Sequence, residues 1–593
     1  MKRAVVALLL FCLPAAEAQP SANDESAASL KGLWASVSDF SPALRGDLII
    51  TQADGVWRGT LAGADVQSTV LDLDFGENGG RFRGALSASG EAIDGWWTQP
   101  PGLPGQAYVT PLHLARAGEH SWRGDVLPLT QTFTLYLNIG RNEDGRWVGA
   151  FRNPEFNFNG GGSRFLATLS GDVLSFSTPD GEVVRTATLH DGGARALSVT
   201  WPPLPQPLDL TAVSRTDALN FFPRASGTYA YTQPAQTGDG WRTASANDVG
   251  FDESALAAVI QRVIDSDPAA RRPQLIHSLL VARNGRLALD EYFFGNDRDT
   301  PHDIRSAGKS FASTLVGAAM REGAPLSAGT RVFDLLASDG PFANVDERKS
   351  AITLAHLMTH TSGLDCNDND DASPGNEGAM QGQSDQPDWW RFTLDLPMAH
   401  APGERYAYCT AGINLVGAVL RKASGQGVPE LFDRLIARPL QFGRYHWNLA
   451  PNGEGYLGGG AYMRPRDLLK LGQVYLDGGV WNGRRVVSSE WVAASIAPHV
   501  EINEATTGMD AETFTNVATH GADGYAWHRY GVLVGDKRIE AYEANGNGGQ
   551  LLVVVPEYEL VVVMTGGNYG QGGIWTRWRD EVIGGEIIKA IRH

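Results

Sequence analysis

Beyond its first twenty residues the sequence has no run of ~18 uninterrupted apolar residues, so nothing in it reads as a membrane-spanning helix. Positive charge is scarce: 49 Lys and Arg face 67 Asp and Glu, for a net charge of -18. A diffuse acidic surface repels nucleic acid and anionic lipid, so neither is expected as a partner. Cysteine is nearly absent, with three in 593 residues, and Cys12 falls inside the N-terminal apolar run. No Gly-x-Ser-x-Gly sequence occurs, which removes the signature of an α/β-hydrolase elbow. Metal spacings are missing too. His356 and His360 are four apart, but no Glu follows His356 as a zinc-protease helix requires, so both read as structural. The run Asp365-Cys-Asn367-Asp-Asn369-Asp370-Asp371 begins like a calcium loop. Its sixth position is Asp370 rather than Gly and its twelfth is Asn376 rather than Glu, so it reads as a solvated loop. No metal and no cofactor are expected.

What is present is ordinary for a globular chain. Forty-two per cent apolar and 20% charged residues exclude a disordered, collagenous or coiled-coil protein. The length implies about four domains at roughly 150 residues each. Seventy glycines and 31 prolines indicate many turns and a sizeable β component. The N-terminus reads as an export signal: Lys2 and Arg3, an apolar run from Ala4 to Leu13, then small residues at Ala16 and Ala18. Cleavage is expected near Ala18. Phe11 before Cys12 is too large for a lipoprotein site, so the expectation is a soluble periplasmic or secreted protein.

Residues 30–225 read as a β-rich domain, a meandering barrel or sandwich of unknown role. Alternating runs such as Phe133-Thr-Leu-Tyr-Leu137 and Val173-Leu-Ser-Phe-Ser177 are separated by Gly, Asn and Asp turns. Arg81-Phe-Arg-Gly-Ala and Arg146-Trp-Val-Gly-Ala are loosely alike, which fits one antiparallel meander. Residues 226–240 read as a linker. From 241 to 593 the texture changes to an α+β mixture, with helical periodicity from Glu253 to Ile264 and strands around an Asn284-Gly285 turn.

The chemistry concentrates in His302-Asp-Ile-Arg-Ser306-Ala-Gly-Lys309-Ser310-Phe311. Apolar residues at Phe311, Leu315 and Val316 predict a helix starting near Ser306, which puts Ser306 and Lys309 on one face. A serine needs a base to become a nucleophile, and a neutral lysine one turn away can take its proton. The helix start offers free backbone N–H groups to an oxyanion. Lys309 is the only lysine with a serine three residues before it, a pairing that chance alone produces about half the time. Trp389, Trp390 and Trp527 fit a substrate cleft or the core equally well.

Further landmarks follow Ser306 in order. They are Ile352-Thr-Leu-Ala-His-Leu-Met-Thr-His-Thr-Ser-Gly-Leu364, Pro402-Gly-Glu-Arg-Tyr-Ala-Tyr408-Cys-Thr410, Gly458-Gly-Gly460 with Pro465-Arg-Asp467, and Gly546-Asn-Gly-Gly549-Gln550 before an apolar hairpin. This order resembles the serine β-lactamase and penicillin-binding-protein superfamily. It is most similar to the class C-like branch, with its esterases, D-aminopeptidases and aminohexanoate-oligomer hydrolases, over about residues 241–593. The resemblance implies an antiparallel sheet flanked by helices, with a helical subdomain. It makes Ser306 the nucleophile, Lys309 and Tyr408 its acid/base partners, and Thr410, Gly546 and Asn547 the oxyanion and substrate-binding positions. Thr410 stands where the family has Asn. The third motif, near Glu543 to Asn547, lacks the family's basic residue, which implies a neutral or differently charged substrate.

The expected activity is hydrolysis of a small ester or amide through an acyl-enzyme. The alternatives are a catalytically idle binding protein on the same fold, or a true β-lactamase or D-peptidase. In the family fold the segments bearing Cys366 and Cys409 border one cleft, so the resemblance and the exported context together imply a Cys366–Cys409 disulfide.

Overall fold

The computed structural model describes residues 28–592, apart from 42, 103–104, 156–162, 193, 203, 205, 385–386 and 518. The expected signal at 1–18 lies outside the described residues. The described residues form two compact units, one within 28–36, 135–152 and 163–214, the other within 37–134, 153–155 and 215–592.

The first unit is built on a closed barrel. Gly32–Asp39 is followed round the barrel by Thr132–Arg141, Trp147–Arg152, Ser163–Ser170, Val173–Ser177, Val183–Gly192, Ala194–Val199 and Leu208–Val213. Closure comes where Leu33 pairs with Val213 and Ala35 with Thr211. Alternate side chains such as Leu135, Leu137, Ile139, Leu174 and Phe176 are buried, as the period-two pattern requires.

The second unit contains an eight-stranded antiparallel sheet. Its order is Arg286–Tyr292, Ile276–Arg283, Leu560–Gly566, Gln550–Val555, Tyr542–Gly546, His528–Arg529, Gly521–Asp523 and Val500–Ile502. Both faces are covered, which is why its central strands are apolar throughout rather than alternating. Leu552, Val554, Val561 and Val563 join the core that includes the helix Pro465–Leu476. Leu551, Val553, Val562 and Met564 join the core of the helix Glu253–Ile264. The first helix comes so close that a Cβ at Gly472 would lie 2.5 Å from Val561 Cγ1 and 2.7 Å from Leu552 Cδ1.

A second sheet corrects the domain boundary expected at residue 225. Residues 37–134 belong to the same unit as Ser306, Lys309 and Tyr408. The strand Tyr108–Gly118 pairs with Tyr445–Asn448 through Val109–Trp447 and Tyr108–Asn448. That strand pairs with Ala461–Met463, which pairs with His302–Asp303. The last strand ends three residues before Ser306. The look-alike segments consequently part company: Arg81–Leu86 lies in this sheet and Trp147–Arg152 in the barrel. Their likeness therefore does not come from one meander: Trp147–Arg152 is buried throughout, whereas Arg81–Leu86 is partly exposed.

The expected linker is a fastened strap. Tyr229 donates to Glu291 Oε1 at 2.5 Å and Tyr231 to the Ala288 carbonyl at 2.7 Å. Asp239 binds the wholly buried Arg466 at 2.8 Å, and Arg466 also binds Asp290 at 2.9 Å. Among the described residues no helix is long and apolar enough to cross a membrane.

Candidate active site

The predicted helix from Ser306 begins later than expected. Arg305–Lys309 is a 3₁₀ turn, and the α-helix runs from Ser310 to Arg321. The difference matters because side chains at i and i+3 eclipse in a 3₁₀ turn. Lys309 Nζ accordingly lies 2.8 Å from Ser306 Oγ. It also donates to the Gly458 carbonyl at 2.6 Å, and Lys309 is only 3% exposed. The turn is entered through Arg305 in the left-handed region at φ 48°, a strained conformation for a side chain. Its guanidinium is held by Asp303 at 2.6 Å and lies over the Tyr569 ring at 5.0 Å.

Tyr408 completes the group. Lys309 Nζ stands 5.1 Å from its ring centre. Burial pushes the phenol up, while the Lys309 charge and the neighbouring Ser306 hydroxyl pull it down; the balance is a raised pKa. Two imidazoles flank the phenol ring, His360 at 4.6 Å and His528 at 6.3 Å between centres. His360 Nδ1 accepts the Cys409 N–H at 3.1 Å, and burial drives its pKa down to about 3, so it is neutral. Burial works against the charge on His528 as well, but Asp523 at 2.5 Å outweighs it and raises the pKa. Asp523 also accepts the Tyr406 hydroxyl at 2.9 Å. His360 is therefore part of the Tyr408 environment as well as structural.

Cys366 and Cys409 are joined in a disulfide with Cα atoms 5.4 Å apart. Cys409 caps the helix Thr410–Ser424 and adjoins Tyr408. The bond pins the acidic loop, and the loop delivers a residue that sequence reasoning passed over. Asp368 accepts the Thr410 N–H at 2.7 Å and the Glu377 N–H at 2.8 Å, while its own N–H donates to the Tyr408 carbonyl at 2.8 Å. Burial raises its carboxyl pKa; the Lys309 charge and the bond from the Thr410 N–H oppose that rise. Thr410 enters the site through its backbone N–H to Asp368. Its methyl is packed so near Gly458 that a Cβ there would come within 2.6 Å of it. The bond spans 43 residues. Replacing both cysteines by alanine is expected to cost ~2–4 kcal/mol by freeing that loop in the unfolded chain. The measurement is the urea midpoint of variant and wild type under non-reducing conditions.

The third-motif stretch supplies backbone, not charge. Gly546 ends its strand against the Ser306 turn: a Cβ there would lie 2.5 Å from the Ile304 oxygen and 3.0 Å from Ala307 N. Only glycine permits that approach. Asn547 turns its side chain away, accepting the Gly570 N–H at 2.8 Å. Glu543 is locked to Arg579 at 2.5 Å in a buried pair. The cation nearest Ser306 in sequence is Arg305, already paired. Trp389 and Trp527 belong to the core, while Trp390 packs against it and donates to the Asn414 carbonyl at 3.1 Å. Among the described residues no cluster of three or more His, Cys, Asp or Glu is arranged to hold a metal.

A family model described as Beta-lactamase matches residues 261–571. The chain is 27% identical over 301 residues to the 6-aminohexanoate-dimer hydrolase of Paenarthrobacter ureafaciens, covering 48% of this chain and 71% of that one. It is 29% identical over 212 residues to Esterase EstB of Burkholderia gladioli, covering 32% of this chain and 51% of that one. Among solved structures, a penicillin-binding-protein homologue from Caulobacter crescentus is 15% identical, covers 53% of this chain and 91% of that one, and has a TM-score of 0.41.

Proposed function

The chain belongs to the beta-lactamase family and is a serine hydrolase; from that premise we propose that it cleaves a small ester or amide through an acyl-enzyme on Ser306. The observation that carries this reading is the 2.8 Å contact between Lys309 Nζ and Ser306 Oγ, with the Tyr408 ring centre 5.1 Å from that Nζ. Lys309 takes the Ser306 proton as Oγ forms its bond to the acyl carbon. The tetrahedral oxygen rests on the Ser306 N–H and on a backbone N–H near Gly546 and Asn547. Tyr408 passes the proton to the leaving group as the scissile bond breaks, and water then repeats the sequence to free the acid. The relatives named for an amide dimer and for ester cleavage make both bond types reasonable substrates, and the N-terminal sequence favours an exported enzyme. A fluorophosphonate probe tests the reading. Covalent labelling of Ser306 is expected, and an unlabelled, folded protein would mean an idle fold.

Asp368 has a part in this chemistry. When Lys309 takes the serine proton it becomes positive, and a carboxylate in its field stabilises that charge. Because burial raises the Asp368 pKa, the carboxylate is protonated at a higher pH than an ordinary one. Activity is therefore retained above that raised pKa and lost as pH falls through it. Asp368→Asn is expected to lower kcat about tenfold with little change in KM and to remove this acid limb from the pH profile. A variant that keeps both the rate and the limb would remove Asp368 from the mechanism.

A further inference from the structure

Beyond the strand Tyr542–Gly546 the large sheet carries a buried charged pair. His528 stands opposite Glu543 on one side and opposite Asp523 on the other. Its Nδ1 donates to Asp523 Oδ1 at 2.5 Å, and Asp523 Oδ2 accepts the Tyr406 hydroxyl at 2.9 Å. Asp523 is wholly buried and His528 nearly so. A buried carboxylate keeps its charge only beside a cation. Among the described residues His528 is the basic group that pairs with Asp523, so the geometry calls for an imidazolium there.

Two connections bring this pair to bear on Tyr408. Tyr406 lies two residues before Tyr408, and between them the Ala407 N–H donates to the His360 carbonyl at 2.9 Å. The Asp523 bond to Tyr406 thus helps fix the path of the chain into Tyr408. The hairpin between Asp523 and His528 is docked on the helix that follows Ser306, where the Ala526 carbonyl accepts the Ser310 hydroxyl at 2.5 Å. This places the His528 ring centre 6.3 Å from that of Tyr408, with the planes inclined at 31°. The other groups around His528 add no competing charge near neutrality. Glu543 is cancelled by Arg579 at 2.5 Å. Burial keeps the hydroxyls of Tyr406 and Tyr530 protonated well beyond their ordinary range, and the Tyr530 ring stacks on His528 at 5.2 Å. His360, which feels both Lys309 and His528, is held neutral by burial.

We propose that His528, as an imidazolium fixed by Asp523, is a positioning residue for Tyr408 that stabilises the negative charge its oxygen acquires while handing a proton to the leaving group. The Tyr408 O–H bond breaks as the leaving atom takes the proton, and the phenol oxygen then recovers a proton from Lys309. A cation beside the ring favours the charged moment of that exchange. The inference rests on Tyr408 serving Ser306 as proton donor. It also sets a pH dependence. Asp523 raises the His528 pKa above the ordinary imidazole value, so the charge is present below that raised pKa and lost as pH rises through it. Activity should carry a basic limb there.

A leaving group that departs as a stable anion needs little from Tyr408, so the test compares an ethyl with a p-nitrophenyl ester of the same acyl group on the full chain. The value followed is kcat/KM, from about pH 6 to about pH 10. His528→Gln is expected to lower it about tenfold for the ethyl ester at neutral pH and to abolish the basic limb, while the p-nitrophenyl ester loses less than about threefold. Asp523→Asn keeps an oxygen for Tyr406 but removes the charge, so its basic limb should move down by about one pH unit or more. If His528→Gln does not fold, the Asp523→Asn profile decides. A wild type without a basic limb, equal losses on the two esters, or a limb that neither substitution moves would assign the pair to packing and overturn the proposal. Those results leave Ser306 untouched, whereas a wild type that cleaves neither ester and takes no fluorophosphonate label would remove the underlying reading instead.

Discussion

Ser306→Ala is expected to lower turnover of every ester and amide substrate by about 10³-fold or more, with the fold intact. Alanine removes the only atom that forms the acyl bond, and nothing beside it can substitute. The Tyr408 hydroxyl carries a pKa raised by burial, so it stays protonated, and Lys309 is tied to the Gly458 carbonyl at 2.6 Å. The structural cost is small. Ser306 is half-buried on its turn, and its loss leaves a lysine that keeps its carbonyl partner, so a stability change within about 1 kcal/mol is expected. Rates on a chromogenic aryl ester, the melting temperature and intact mass after substrate exposure check the prediction together. Wild type should gain the mass of the acyl group and the variant none. A folded variant with near-normal turnover would displace Ser306 from the mechanism.

The parts of this site that could be read in the sequence are those set by short-range spacing. Ser306 and Lys309 are three residues apart, and any helical turn brings them together. Whether that turn is α or 3₁₀ depends on Arg305 taking φ 48° against Asp303 and Tyr569, contacts that no local pattern reveals. Tyr408 and the two cysteines were legible through the order of motifs. Asp368 was not, because in the run Asp365 to Asp371 no spacing singles out one carboxylate from the others. It is singled out only when the Cys366–Cys409 bond and the Thr410 N–H fix the loop. His528 lies far along the chain from Tyr408 and meets it only through packing around Asp523 and Tyr406. The partition of the β-rich region was hidden for the same reason. Strands of both units alternate alike, and the pairing of Val109 with Trp447 joins residues more than three hundred positions apart. Periodicity identifies a strand and its buried face; it does not identify the neighbour.

Lys309→Arg is expected to cost nearly as much as losing the serine, about 10³-fold in kcat/KM. The charge is conserved by this change, so a merely electrostatic role for Lys309 would leave appreciable activity. A base must instead give up its proton before it can accept the one from Ser306, and a guanidinium does not do so in proteins. Geometry adds to the loss. Nζ is a single point shared between Ser306 Oγ at 2.8 Å and the Gly458 carbonyl at 2.6 Å, and a planar fork cannot occupy both positions in a pocket closed by Thr410 and the Tyr408 ring. Raising the pH to about 10 should not rescue the variant, because arginine remains protonated there. Lys309→Met, which fills similar space without charge, should be equally slow and should retain the wild-type fold by melting temperature and far-ultraviolet dichroism. Together the two variants separate the roles. If arginine works and methionine does not, Lys309 supplies charge alone; if both fail while the protein stays folded, it is the group that takes the proton.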